Sequence, residues 1–194
     1  MKHSMRLAAV SDSESILNIY APYITDTAVS FETEIPAIGD FSARIAKIAE
    51  EYPFVVYEMN GKIIGYAYAS RHRERAAYRF DVDVSIYVLP EYHGLGIACK
   101  LYDCLFALLK KLGYINAYAA YTESNGRSMK FHQKFGFTLI GVHHKTGYKL
   151  GRWHDVTWLE KTINAHDEKP GRVLGIGELS PEYLENLFRS YTIA

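Results

Sequence analysis

The sequence predicts an α/β fold of the α+β kind, in which a central mixed, mostly antiparallel twisted sheet is flanked by helices. Two stretches carry this expectation. Phe54 to Met59 and Ile63 to Ser70 are β-rich and flank Asn60-Gly61, the strongest short-range hairpin signal there is. Residues 82–109 then pass from strand alternation through a glycine loop into a helical stripe, and more strand-like runs follow. A hairpin leading into a strand–loop–helix unit requires antiparallel and parallel neighbours in one sheet. The predicted order is β-α-α-β-β-β-α-β-α-β-β.

In chain order, Arg6 to Val10 reads as a short strand, and Ser11-Asp-Ser-Glu14 has the spacing of a capping box that opens a helix. Ile16, Leu17, Ile19 and Tyr20 supply its buried face, and Pro22 kinks or ends it. Residues 28–34, polar and aromatic around Phe31, form a loop lining a cleft. Asp40 caps a second helix with Phe41, Ile45 and Ile48 turned inward. After the hairpin, Arg71 to Arg79 is a basic connection. It serves either as solvated surface or as an anion subsite, with the fork of Arg75 and the hydroxyl of Tyr78 suited to a carboxylate.

Val82, Val84, Ile86 and Val88 alternate with Asp83, Ser85 and Tyr87 in a strand that Pro90 ends. From Ile97 the period becomes helical. Leu101, Leu105, Leu108 and Leu112 form one stripe, with Lys110 and Lys111 near the negative end of the dipole before Gly113. Ile115 to Tyr121 is a strand, 122–126 a loop, Ser128 to Phe135 a short helix, and Phe137 to Val142 and Asp155 to Lys161 strands joined by a loop through 145–155. Ser180 to Arg189 is a capped terminal helix. The chain divides into a domain over 1–165 and an extension over 166–194, packed on that domain or on a partner subunit.

With 194 residues, 48% of them hydrophobic, the chain can bury a substantial core. Lys plus Arg and Asp plus Glu are each 22, so no global field points to nucleic acid or to an anionic membrane. The first residues lack the apolar run of a signal peptide, and no stretch reaches the roughly 18 apolar residues of a membrane span, so a cytoplasmic protein is expected. Cys99 and Cys104 lie on different faces of one predicted helix, which argues against a mutual bridge; Cys99 reads as a small packing residue with no base beside it. His143, His144 and Trp153-His154-Asp155 have no recognised ligand spacing, so no metal is expected there.

Between the central strand and helix lies His93-Gly94-Leu95-Gly96-Ile97-Ala98-Cys99. Two glycines permit positive φ, so backbone N–H groups and the helix dipole can converge on a pyrophosphate; the same pair also suits an ordinary tight turn. A dinucleotide fingerprint fits poorly. The third glycine is missing, hairpins precede the loop, and Asn116 stands where an acid would hold a ribose hydroxyl.

His93-Gly-Leu-Gly96-Ile-Ala98, following Ser85 to Val88 and Pro90, resembles the motif of the GNAT superfamily of acetyl-CoA-dependent N-acetyltransferases, with His at a position that is Arg or Gln in the family. Asn125-Gly-Arg-Ser128-Met-Lys-Phe-His132-Gln-Lys-Phe-Gly136-Phe137 resembles the family's downstream segment. Val29 to Glu34, Arg75 to Tyr78, Asp83 to Val88, the His132 helix and Gly147 to Val156 are similar to the phosphinothricin acetyltransferase branch, a likeness spanning about residues 5 to 163.

The resemblance implies a GNAT fold, acetyl-CoA as co-substrate, no metal, a homodimer, and no nucleic-acid or membrane partner. It implies transfer of an acetyl group by direct attack from the primary amine of a small amino acid-like compound of the phosphinothricin, methionine sulfone or methionine sulfoximine type. Asp83 falls where the family has a Glu general base, one methylene shorter here, and could also be an ordinary half-exposed strand residue. His132 falls where relatives place a general acid, and could equally be a satisfied helix histidine. The Val88 N–H would hold the thioester carbonyl, Ile86, Tyr87 and Val88 would pair with the pantetheine arm, and His93 to Cys99 would hold the pyrophosphate. Asn125 and Ser128 would touch the CoA arm, and Phe31, Arg75 and Tyr78 would line the acceptor site, while Glu32 replaces a basic residue of close relatives. Two alternatives stay open: acetylation of a protein N-terminus or polyamine, and a non-catalytic acetyl-CoA sensor.

Overall fold

The first strand, β1 (His3–Leu7), begins earlier than the expected Arg6 to Val10, because Ala8 to Val10 leave the sheet for a 3-10 turn that leads into α1 (Ser13–Thr25). The computed structural model describes residues 2–122 and 126–192. There the elements continue as α2 (Ile38–Glu51), β2 (Phe54–Met59), β3 (Lys62–Arg71), β4 (Asp81–Val88), α3 (Ile97–Leu112), β5 (Asn116–Thr122), α4 (Gly126–Lys134), β6 (Thr138–Lys149), β7 (Arg152–Thr162) and α5 (Pro181–Tyr191). The seven-stranded sheet has the order β1-β2-β3-β4-β5-β7-β6. Every neighbouring pair is antiparallel except β4 and β5. This is the expected mixed, mostly antiparallel sheet flanked by helices, with Asn60-Gly61 at positive φ in the β2–β3 turn.

Two cores sit on opposite faces. On one, Val82, Val84 and Val88 of β4 pack with Leu101, Leu105 and Leu108 of α3, and Ile176, Leu179 and Phe188 of the extension close the same cluster. On the other, Tyr66 of β3, with Tyr87 of β4 against it, packs with Ile16, Ile19 and Ile24 of α1 and Phe41 and Ile45 of α2. The alternation read in the sequence thus separates the two layers around β4. Among the described residues no helix is long and apolar enough to cross a membrane.

Local chemistry moved several boundaries. Pro22 lies inside α1, which runs on to Thr25. Asp40 sits in the first turn of α2 rather than at its cap, which is Ala37. The Asp12 carboxylate accepts the Ala9 N–H at 2.7 Å and pairs with Arg6, so Asp12, not Ser11, secures the entry to α1. The expected loop through 145–155 is mostly strand: β6 and β7 form a long hairpin, irregular between His143 and Gly147, that turns at Leu150-Gly151, both at positive φ. At the C-terminal end Ser180 Oγ accepts the Tyr183 N–H at 3.2 Å, capping α5 as the sequence suggests.

Phe188 is only 9% exposed, so the extension shares the core of α3. Phe188→Ala should therefore lower the folding stability of the whole chain by about 3 kcal/mol in urea unfolding followed by circular dichroism, without adding a separate transition.

Candidate functional site

β4 and β5 are hydrogen-bonding neighbours only at their starts, through Asp81–Asn116, Val82–Ala117 and Asp83–Tyr118. Beyond that point β5 pairs with β7 as far as Thr122–Val156, while β4 keeps only β3 as its partner. The sheet therefore opens in its middle. The Leu89 N–H donates to the Ile64 carbonyl, so by antiparallel alternation the backbone groups of Tyr87 and Ser85 turn toward β3 and those of Val88, Ile86 and Val84 toward the opening. A row of main-chain donors and acceptors with no strand opposite can receive an extended, amide-bearing ligand.

The next segment prolongs this edge. After a 3-10 turn at Pro90–Tyr92, Gly94 and Gly96 take φ of 84° and 80°, and α3 begins at Ile97 with Gly96 as its cap. A side chain at either glycine would meet nothing within 4 Å, so the loop is open on the side where a phosphate would approach. The first-turn N–H groups, together with the positive end of α3, suit an anion. Lys134, from the last turn of α4, reaches the same helix start and donates to Cys99 Sγ at 3.4 Å, adding a cation that the sequence did not single out.

His93 does not point away into solvent alone. Its Nε2–H donates to the Val88 carbonyl at 3.0 Å, and the Tyr23 hydroxyl of α1 donates to the same oxygen at 2.6 Å. These two side chains fix the Val88 peptide at the far end of the opening. Burial raises the Tyr23 pKa, so its hydroxyl stays a donor at neutral pH.

At the other end of the opening stands Asp83, in the last β4–β5 pair. Its side chain has the parity of Ser85 and Tyr87 and so lies on the α1/α2 face. Burial raises its pKa from the ordinary aspartate value; the hydrogen bond of His72 and the charge of Arg73 oppose that shift. His72 Nδ1 lies 2.8 Å from Asp83 Oδ1, and the ring stacks on Tyr118 at 4.1 Å between centroids. Tyr78 meets the same imidazole edge-on at 6.2 Å. His72 was not picked out from sequence. The signal was its register: Ser70 opposes Asp83, which makes His72 a diagonal neighbour on the same face.

His132 lies on the α3 side. It is 5% exposed, and Nδ1 lies 2.8 Å from the Ser128 carbonyl, which can only accept, so Nδ1 carries the proton. In the neutral ring Nε2 then accepts from the Tyr102 hydroxyl at 3.1 Å. Burial lowers the pKa, partly offset by the Ser128 carbonyl. No contact joins His132 to Asp83; each has its own partner. Ser128 stands in the first turn of α4, and Asn125 lies outside the described residues.

The segment before α2 forms a wall facing Asp83's side of the sheet. Lys149 Nζ, buried and with its pKa lowered by that burial, donates to the Ser30 carbonyl at 2.6 Å. The hydroxyls of Ser30 and Tyr20 lie 2.7 Å apart. Phe31 presses on Gly147, where an added Cβ would come within 2.3 Å of the ring, and lies 6.3 Å from the His154 ring. Glu32 pairs with Arg44 at 2.6 Å. Arg75 and Tyr78 are exposed on the β3–β4 connection. His144 pairs with Asp155 at 2.7 Å, and the buried His154 bonds the Lys149 carbonyl, so these residues stabilise the β6–β7 hairpin.

Comparison with known proteins adds the following. Residues 5–158 match the model of the acetyltransferase (GNAT) domain family. The chain is 34% identical over 166 residues to a phosphinothricin N-acetyltransferase of Alcaligenes faecalis, covering 84% of each. It is 28% identical over 164 residues to an L-methionine sulfoximine/L-methionine sulfone acetyltransferase of Salmonella typhimurium, covering 84% of this chain and 96% of that one. The solved structure of a phosphinothricin acetyltransferase of Sinorhizobium meliloti in complex with AcCoA is similar at a TM-score of 0.84 and 33% identity, covering 92% of this chain and 98% of that one.

The His132 environment has a measurable consequence. A histidine whose folded pKa lies below its unfolded value of 6.5 binds fewer protons when folded, so its contribution to stability is lost as pH falls through 6.5 toward the folded value. Urea unfolding at a series of pH values between 8 and 5 should show a shallower loss on acidification for His132→Gln than for the unaltered chain.

Proposed function

The chain belongs to the GNAT family and is an acetyl-CoA-dependent N-acetyltransferase, and from that premise we propose that its acceptor is the primary amine of a small amino acid-like compound of the phosphinothricin, methionine sulfone or methionine sulfoximine type. The observation that carries this reading is the position of Asp83, a half-buried carboxylate at the point where β4 and β5 part. An amine entering from the α1/α2 face would meet it beside the row of Ile86 and Val88 main-chain groups.

Acetyl-CoA supplies an activated acyl group on a thioester. Ile86 and Val88 would hold its pantetheine arm along the open edge of β4, Tyr87 being excluded because its main chain turns to β3, and the Val88 N–H would lie at the thioester carbonyl, where it would stabilise the negative charge that develops on the oxygen. Tyr23 and His93 already tie down the Val88 carbonyl, so the main chain next to that N–H is held before a ligand arrives. Gly94 to Cys99 and the start of α3 would take the pyrophosphate, with His93 at the rim of the loop, and Asn125 and Ser128 would touch the arm.

Asp83 would accept the acceptor's ammonium proton, directly or through a water. Burial raises its pKa from a value that is otherwise low for this task, which improves the match. His132 has its proton on Nδ1 and accepts from the Tyr102 hydroxyl at Nε2, so it would pass a proton to the departing thiolate after its ring takes one up from solvent. Phe31 would face the acceptor's side chain, and Arg75 and Tyr78 its carboxylate. The Glu32–Arg44 pair neutralises the acid that stands where close relatives are basic, which keeps the site compatible with an anionic acceptor.

A thiol-release assay tests this with phosphinothricin, methionine sulfone, methionine sulfoximine, ordinary amino acids, a polyamine and an N-terminal peptide. Turnover is expected with the amino acid-like compounds. Turnover with the peptide or polyamine alone, or acetyl-CoA binding with no turnover at all, would overturn the assignment. Asp83→Asn and His132→Ala should each lower kcat by about a hundredfold while changing the acetyl-CoA KM far less.

A further inference from the structure

Building on the role given to Asp83, we propose that His72 is a positioning residue for that carboxylate: its Nδ1–H holds Oδ1 and leaves Oδ2 for the acceptor amine, so proton acceptance belongs to the His72–Asp83 pair. The geometry is that of an orienting contact. A contact of 2.8 Å between an imidazole nitrogen and a carboxylate oxygen requires a proton between them, and the nitrogen is its ordinary carrier. His72 is also the more enclosed partner, with a side chain 11% exposed against 36% for Asp83. The half-buried ring thus stands behind a carboxylate that reaches the surface of the site.

Neighbouring elements hold the imidazole itself. Tyr118 of β5 stacks on one face with an interplanar angle of 19°, and Tyr78 of the β3–β4 connection closes on its edge. The charged and titratable groups facing the pair are Arg73 on the connection, Tyr78, Tyr118 on β5, Tyr68 on β3, and Asp81, which acts on Tyr118 together with Glu160. Asp81 is itself engaged by the Asn116 side chain at 2.9 Å, which leaves His72 as the direct partner of Asp83. An Asp on a strand reaches less far than a Glu would and has fewer torsions, so one hydrogen bond at Oδ1 is enough to define where Oδ2 lies.

In the step this serves, one N–H bond of the acceptor's ammonium breaks and one O–H bond forms at Oδ2. The electron pair stays on nitrogen for attack on the thioester. The His72 proton stays on Nδ1 throughout. Nothing is oxidised or reduced, and the proton later passes from Oδ2 to solvent.

The test is a set of variants read by steady-state kinetics and by carboxyl-carbon NMR of the full chain. His72→Ala removes a hydrogen bond that favours the ionised carboxylate, so the Asp83 titration should move to higher pH, and the acid limb of the kcat–pH profile with it. Turnover should fall about tenfold or more, with both KM values little changed. His72→Gln keeps an N–H donor and should recover part of the loss. The double variant with Asp83→Asn should be no slower than Asp83→Asn alone, because the two residues act as one unit. A folded His72→Ala chain with an unmoved Asp83 titration, or losses that simply add in the double variant, would overturn the proposal. If His72→Ala does not fold, His72→Gln decides through the same titration. Should the unaltered chain acetylate none of the amines, the acceptor assignment fails on that result, while the NMR titration still decides whether His72 controls Asp83.

Discussion

The parting of β4 from β5 after the Asp83–Tyr118 pair is the constraint on which the remainder of the molecule depends. A strand in the middle of a sheet satisfies its main chain on both sides; here β4 gives up one side over Val84 to Val88. The tie at the near end is firm: the Ile115 N–H donates to the Phe80 carbonyl at 2.9 Å, and the Asn116 side chain donates to Asp81 at 2.9 Å. β5 is then drawn off by its continuous pairing with β7. The polar groups left along β4 are costly to bury without partners and favourable to pair with a ligand, so the sheet's defect and its binding edge are one feature.

β4 also divides the chemistry between its two faces. Its even-numbered side chains go to the α3 core, where they seat the helix whose N-terminus would take the phosphates. Its odd-numbered side chains go to the face of α1 and α2, where Asp83 stands near a belt of tyrosines: Tyr20, Tyr66, Tyr68 and Tyr87. Burial raises the pKa of each of these phenols, so the belt stays neutral and brings no competing negative charge to the face on which Asp83 stands. A co-substrate held by backbone and an acceptor met by side chains can therefore share one strand without sharing one surface.

Much of this was legible in the sequence where a single element carries its own pattern. The Val82 to Val88 alternation, the Leu101 to Leu112 stripe, Asn60-Gly61 and the order of the elements all depend on local periodicity or turn chemistry. The two strands of the β6–β7 hairpin are expected from sequence, but its tip through 145–155 reads as a loop, because its glycines, histidines and lysines hide a β pattern that cross-strand pairing imposes. The contact of Lys134 with Cys99, and that of Tyr23 with the Val88 carbonyl, join residues of α4 with α3 and of α1 with β4. No period within one element reports such pairs. The His72–Asp83 pair is intermediate: it could be read once the β3–β4 register is known, but the connection between the strands conceals that register.

That register bears on how a carboxylate on a strand could serve as the base proposed for Asp83. A lone carboxylate at the surface keeps a pKa far below that of an amine, and one fully buried without a partner would stay protonated near neutrality and lose its function. At Asp83 the two effects oppose each other: burial raises the pKa, and the His72 hydrogen bond favours the ionised form. Both effects follow from one position. A residue further up β4 would lose the reach of His72 and Tyr118, and one further down would lie within the closed β4–β5 ladder. The carboxylate sits at the last β4–β5 pair, where the sheet is still closed enough to supply partners and where the proposed amine would enter as it opens.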